Sequence, residues 1–195
     1  RPPARYSEDI DLVQVDPGPI GPILDAIRGR LDPWLGSPRR TTRTGRVVLI
    51  YRMSSEGLPP VPMRLKVEIN SREHFSVYGT EERELSVRSR WFTGATKVGS
   101  YQLDELLGTK LRALYQRKKG RDLFDLFIAS RKAVVDPERV VTCFERYLAQ
   151  EGKRVSRAQF ERNLQEKLSD AVFLADVEPL VAPEFSWSLE DAAGF

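Results

Sequence analysis

The sequence contains very few of the residues that build thiol and imidazole sites. Cys143 is its single cysteine and His74 its single histidine. One cysteine excludes an internal disulfide, and this pair cannot supply the four ligands of a structural zinc site. A Ser-His-Asp triad would have to use His74, which lies in Arg72-Glu73-His74-Phe75 with no nucleophile motif nearby. We therefore expect a protein of a reducing cytosol whose chemistry depends on other groups.

Long apolar runs and a strong charge of one sign are also missing. No apolar stretch approaches the roughly 20 residues that cross a bilayer, and the first residues do not read as an export leader. The 31 Lys and Arg against 28 Asp and Glu give a formal charge of +3, too small to indicate a nucleic-acid binder unless the charges cluster. With 195 residues and 41% hydrophobic content, the chain can bury a core. We expect a globular, cytoplasmic protein.

Hydrophobic periodicity predicts mainly strands in the first half of the chain. Residues 38–46 are basic and read as a loop, whereas residues 85–101 fit either short strands or an irregular loop. The remaining segments are predicted as a strand at Ile10 to Val15, a helix with apolar positions from Ile20 to Leu31, and strands at Val47 to Tyr51 and Met63 to Asn70.

From Leu103 onward the pattern is helical. A leucine stripe predicts a first helix that ends near Lys119-Gly120, with the glycine as C-terminal cap, and a second helix begins at Asp122. Asp136-Pro137 opens a third helix that ends at Gly152, and Ser156 with Gln159 forms a capping box for a fourth. Strands followed by helices favour an α+β fold over a doubly wound sheet. We divide the chain into a core, residues 1–101, and a helical region, residues 102–195.

Three carboxylates on the predicted strands are candidates for metal binding. Asp9 and Asp11 lie two residues apart, so they share one face of the first strand, and Glu68 lies on the polar face of a later strand. Nucleotidyl transfer requires carboxylates that hold divalent ions, and Mg²⁺ prefers oxygen ligands. The alternative is that such exposed carboxylates only solvate a sheet edge.

A second group of charges interrupts the apolar helices between Leu106 and Leu126. Lys110 lies beside the leucine stripe, where it either reaches solvent, pairs with a structural carboxylate or binds phosphate. Arg121 and Asp122 stand at a helix start with Asp125 one turn later, and both carboxylates also suit the positive end of the helix dipole.

The two segments together resemble a known family. Tyr6-Ser7-Glu8-Asp9-Ile10-Asp11-Leu12 resembles the [FY]-S-x-D-x-D-L signature of the AbiEii/AbiGii-type nucleotidyltransferase toxins, which include the mycobacterial MenT group. The family's Lys, Arg and Arg-Asp-x-x-Asp positions are filled by Lys110, Arg117 and Arg121-Asp122-Leu123-Phe124-Asp125. Lys66-Val67-Glu68-Ile69 resembles the intervening strand, and the likeness extends from Arg5 to about Ala133.

This resemblance implies a DNA-polymerase-β-like nucleotidyltransferase fold with a mixed sheet. It also implies the toxin of a toxin–antitoxin or phage-defence pair, with a cognate antitoxin as partner. The implied reaction is transfer of NMP from an NTP to RNA, at the tRNA 3′ end, with Mg²⁺ or Mn²⁺ as the metal. Asp9, Asp11, Lys110 and Asp122 would be catalytic, and Asp9, Asp11 and Glu68 would bind metal. The nucleotide-binding residues would be Ser7, Lys66, Lys110, Arg117, Arg121 and Asp125.

Two points of the resemblance leave alternatives. The family carries a Gly-Gly-[Thr/Ser] phosphate-binding turn before its Ser-x-Asp-x-Asp strand, and we expect it in an N-terminal segment upstream of Arg1. The acceptor is RNA, a small-molecule or protein hydroxyl, or the chain is a non-catalytic nucleotide- or antitoxin-binding module. Basic groups that would favour RNA, unless they are ordinary surface, are the segments Arg39 to Arg46 and Arg112 to Arg121, and Arg88, Arg90 and Trp91.

Overall fold

The computed structural model describes residues 3–7, 9–89, 92–183 and 185, which form two compact units. One unit is Ser7–Phe75, and the other combines the described residues up to Tyr6 with those from Ser76 onward. Strands dominate the first unit and helices the second, which confirms the predicted mixed α+β fold. The sequence-based division at residue 101 concerns functional regions and stays a prediction.

The Ser7–Phe75 unit contains a four-stranded mixed sheet in the order β1-β4-β3-β2. β1 runs parallel to β4, whereas β4, β3 and β2 are successively antiparallel. The strands are β1 Asp9–Val13, β2 Arg39–Arg43, β3 Arg46–Ser54 and β4 Pro62–Asn70, and the helix α1 Gly21–Leu35 follows β1.

One face of this sheet forms the core of the unit. Alternate residues of β3 and β4 are buried against α1, because successive side chains of a strand point to opposite faces. The buried set is Leu24, Val47, Leu49, Tyr51, Val67 and Ile69. The Tyr51 hydroxyl donates a 2.8 Å hydrogen bond to Asp32 of α1, which fixes the helix on the sheet. The opposite face carries most of the polar side chains of the sheet, with the apolar Val48 and Ile50 among them.

The prediction of a loop at residues 38–46 is wrong. This basic segment is an edge strand, β2, joined to β3 by the turn Thr44-Gly45. Gly45 has φ +73°, a left-handed conformation that glycine adopts without strain. Pairing with the apolar β3 places these residues in a strand despite their polar composition.

The second unit begins with an antiparallel hairpin of β5 Thr80–Arg88 and β6 Thr93–Tyr101. Residues 85–101, which fitted either strands or a loop, therefore include two strand segments. Register places Leu85, Val87 and Val98 on one face of the ribbon, and all three are exposed.

The helices of the second unit pack around a separate apolar core. Its main described elements are α2 Leu103–Gln116, α3 Gly120–Lys132, α4 Pro137–Gln150, α5 Arg157–Leu168 and α6 Ala171–Ala175, with a 3₁₀ turn at Glu178–Leu180. The predicted caps at Asp136 and Ser156 are confirmed, since both side chains accept hydrogen bonds from backbone N–H groups. None of the described helices is both long and apolar enough to cross a membrane.

Gly120 was wrongly predicted as a C-terminal cap. It is the first residue of α3, and α2 already ends at Gln116. A Cβ at Gly120 would collide with the backbone carbonyl of Phe173, so glycine permits the close approach of the segment around α6.

Candidate active site

The polar face of the mixed sheet carries the predicted metal ligands, and we call it the carboxylate face. Asp9 of β1 lies beside Lys66 of β4, and Asp11 lies beside Glu68. Val67 and Ile69, which alternate with Lys66 and Glu68 along β4, are buried on the α1 side, so Lys66 and Glu68 point away from that core. The register therefore places all three carboxylates on one face, as the spacing predicted.

Asp9 and Glu68 converge on one cation. The Lys66 ammonium lies 2.8 Å from Asp9 Oδ2 and 3.2 Å from Glu68 Oε2, and Arg46 contacts Glu68 at 3.0 Å. Partial burial lowers the pKa of the Lys66 ammonium, but its bonds to Asp9 and Glu68 outweigh burial and raise that pKa above its ordinary value. The charge of Lys66 thus offsets the repulsion between two neighbouring carboxylates.

The donor set of this face fits a hard divalent ion. Asp9, Asp11 and Glu68 offer the carboxylate oxygens that Mg²⁺ prefers, and two of them already share a positive charge. Among the described residues, no three His, Cys, Asp or Glu side chains are arranged ready to hold a metal ion. Lys66 would have to give up part of its contact with Asp9 and Glu68 when a metal binds.

The helical unit contains the other predicted residues in a cluster of five charges, which we call the phosphate cluster. At its centre is Asp122, which lies in the first turn of α3. The side chain of Asp122 is completely buried. Arg117 donates two hydrogen bonds of 2.7 Å to its carboxylate. The Lys110 ammonium lies 3.4 Å from Asp122 and 3.0 Å from Asp125.

Arg5 completes the phosphate cluster and was missed by the sequence analysis. Its guanidinium donates hydrogen bonds of 2.6 and 2.8 Å to the two oxygens of Asp125, and these bonds raise the pKa of Arg5. Burial alone would raise the pKa of the Asp125 carboxyl, but the bonds from Arg5 and the charge of Lys110 lower it below 3.8. The only signal in the sequence was an arginine next to the Tyr-Ser-x-Asp motif.

Three cations and two carboxylates leave the phosphate cluster with one excess positive charge. Asp122 is fully buried, and its carboxylate contacts both Arg117 and Lys110, so it holds these two cations in place. The side chain of Arg117 is 53% exposed, whereas that of Lys110 is 28% exposed. Guanidinium and ammonium donors held in this way suit the oxygens of a polyphosphate.

Arg121 and Ser7 lie outside these contacts. Arg121 belongs to a separate group in which its guanidinium and Lys119 face Asp176, at 3.7 and 3.2 Å. Ser7 is exposed and precedes β1. The structure therefore gathers Asp9, Lys66 and Glu68 in one unit, with Asp11 in register beside them. In the other unit it gathers Lys110, Arg117, Asp122 and Asp125 with Arg5.

Comparison with known proteins adds independent information. No curated protein matches the chain. A crystal structure of a provisionally assigned nucleotidyltransferase from H. pylori matches with a TM-score of 0.57 and 17% identity, covering 97% of this chain and 74% of that one, which supports the fold. The family model described as nucleotidyl transferase AbiEii toxin, type IV TA system, matches residues 1–194. The chain belongs to this family of nucleotidyltransferase toxins.

Proposed function

We propose that this protein is a metal-dependent toxin that transfers a nucleoside monophosphate from an NTP to an RNA acceptor, the tRNA 3′ end. The observation that carries the proposal is the convergence of Asp9 and Glu68 on one cation, on a face that also carries Asp11. We further propose that it acts in the cytoplasm, in phage defence, and is controlled by a cognate antitoxin.

The residues of the carboxylate face would bind Mg²⁺ or Mn²⁺. Asp9, Asp11 and Glu68 are the proposed ligands, and the bound metal would neutralise phosphate charge and activate the acceptor hydroxyl. Lys66 holds Asp9 and Glu68 together, and we propose that its ammonium also contacts nucleotide oxygens.

The phosphate cluster would bind the triphosphate through Lys110 and Arg117. Asp122 and Asp125 orient these cations, which lowers the entropic cost of phosphate binding because the side chains are already held. Arg5 extends the same network. Arg121 and Ser7 are the remaining proposed nucleotide contacts, on the strength of the family motif.

The position of the label and the class of acceptor test this proposal. We would incubate the full-length protein with Mg²⁺, total RNA, total protein and a small-metabolite extract, using each NTP labelled at either the α- or the γ-phosphate. We expect the α label in tRNA and the γ label in released pyrophosphate. Finding the γ label on the acceptor would identify a kinase, and finding the α label only on proteins or metabolites would refute the RNA assignment.

A further inference from the structure

The carboxylate face also carries a row of arginines across three strands. Cross-strand register pairs Arg43 of β2 with Arg46 of β3, and Arg52 of β3 with Arg64 of β4. Residues directly opposite each other on neighbouring strands share a face of the sheet. Arg39 is opposite Ile50, and Ile50 is opposite Lys66, so Arg39 lies on the carboxylate face. All five arginines are exposed, and we call them the arginine band: Arg39, Arg43, Arg46, Arg52 and Arg64.

The placement of these arginines is unfavourable in the protein alone. Like charges directly opposite each other on neighbouring strands destabilise a sheet, and the band contains two such pairs, Arg43 with Arg46 and Arg52 with Arg64. Arg46 has Glu68 as a partner at 3.0 Å. No ion pair is seen for Arg39, Arg43 or Arg52 in the part of the chain that the structure describes. Negative charge from a ligand would offset this repulsion.

In residues 112–121, by contrast, most cations pair with carboxylates of the protein. Arg112 pairs with Glu151 at 3.2 Å, and Lys118 pairs with Asp170 at 3.0 Å. Lys119 and Arg121 both face Asp176. The arginine band therefore has a larger excess of positive charge than residues 112–121, although both segments are basic in the sequence.

The extent of the band indicates a ligand with several spaced phosphates. Strands lie about 4.8 Å apart, and β2 is the third strand from β1 in the sheet order. Arg39 and Arg43 are thus about 14 Å across the sheet from the strand that carries Asp9 and Asp11. A nucleic-acid chain carries one phosphate at each nucleotide, so several of its charges would lie along a surface of this width.

We propose that the arginine band binds the phosphate backbone of the RNA acceptor and directs its end toward the carboxylates. This inference rests on the proposed function, and it assigns a binding surface to that function. Because contacts to the phosphate backbone carry no sequence information, the band would bind with little sequence preference.

Strand alternation supplies a matched pair of variants. Arg39→Gln with Arg43→Gln removes two charges from the band, whereas Arg40→Gln removes a charge from the opposite face of the same strand. We would measure binding of a labelled single-stranded RNA to the full-length protein by fluorescence anisotropy over a series of salt concentrations. Thermal unfolding of each variant would check folding, and we expect no loss of stability because repulsion is relieved.

The expected result is weaker binding by the double variant, by about tenfold at low salt, with a salt slope smaller by about 1.4, since each single-strand phosphate contact contributes about 0.7. Arg40→Gln should bind like the wild type. Equal binding by the double variant and the wild type would overturn the inference, while α-label transfer to RNA by that same variant would leave the proposed function standing. Tighter binding of a poly-glutamate peptide than of RNA would also overturn it, in favour of an acidic protein partner.

Discussion

The Lys66 ammonium occupies the position between two carboxylates that we assign to metal binding. A cation there competes with a metal for Asp9 and Glu68, because both bind the same oxygens. We predict that Lys66→Met lowers the Mg²⁺ or Mn²⁺ concentration needed for half-saturation by on the order of tenfold, measured by calorimetry without NTP. Lys97→Met, on the exposed hairpin, is the control. Unchanged or weaker metal binding by Lys66→Met would show that the metal does not use these carboxylates.

Asp125 should make stability depend on pH in a defined direction. Its folded-state pKa is lower than its unfolded value of about 3.8, so the ionised carboxylate contributes stability that is complete above that value and is lost as pH falls through the folded pKa. We predict that Asp125→Asn costs about 1–3 kcal/mol in urea unfolding at pH 5 to 8. The difference from the wild type should shrink below about pH 4. A difference that stays constant down to pH 3 would contradict this assignment.

At the residue scale, the sequence identified charges but not their partners. Asp9, Asp11, Lys110 and the Arg-Asp-x-x-Asp motif were recognisable from spacing and family resemblance. Arg5 was not, because its contact with Asp125 joins residues 120 positions apart. The complete burial of Asp122 was likewise hidden, since a carboxylate at a helix start is normally exposed. Both the contact of Arg5 and the burial of Asp122 depend on packing between segments that are distant in the sequence.

Among the elements, the contact between α2 and α4 depends on Gly108. A Cβ at this position would collide with the Cys143 side chain and lie 2.9 Å from the Val140 carbonyl oxygen. We predict that Gly108→Ala destabilises the protein by about 1–3 kcal/mol in urea unfolding, because the helices must separate. Gly29→Ala in α1 is the matched control, since a Cβ there meets open space. It should stabilise by about 0.5–1 kcal/mol. Equal effects of the two substitutions would refute the packing argument.

Elements with local signals were predictable and those that depend on pairing were not. Asp136-Pro137 and the Ser156 capping box define helix starts through contacts within a few residues, so the sequence was sufficient. β2 has no apolar face, and its strand conformation comes from pairing with β3. Gly120 resembled a cap because a glycine after Lys119 is common at helix ends, whereas packing against Phe173 determines its place.

The distribution of charge over the molecule indicates binding surfaces that the net charge does not. A formal charge of +3 gave no indication of a partner. The structure divides the basic residues into pairs with internal carboxylates, such as Arg112 with Glu151, and an exposed arginine band. It also gathers charges from distant segments into a carboxylate face and a phosphate cluster, each within its own unit. Family membership then identifies the chemistry as nucleotidyl transfer.

We assign the catalytic centre of nucleotidyl transfer to the carboxylate face, and single-turnover transfer of α-labelled NTP to RNA tests this assignment most directly. The measurement compares the wild type with Asp11→Asn and with Asp25→Asn, which removes an exposed carboxylate of α1. We predict that Asp11→Asn lowers the transfer rate by at least about 10³-fold, with unchanged unfolding, while Asp25→Asn retains the wild-type rate. Transfer by Asp11→Asn at the wild-type rate would contradict this assignment.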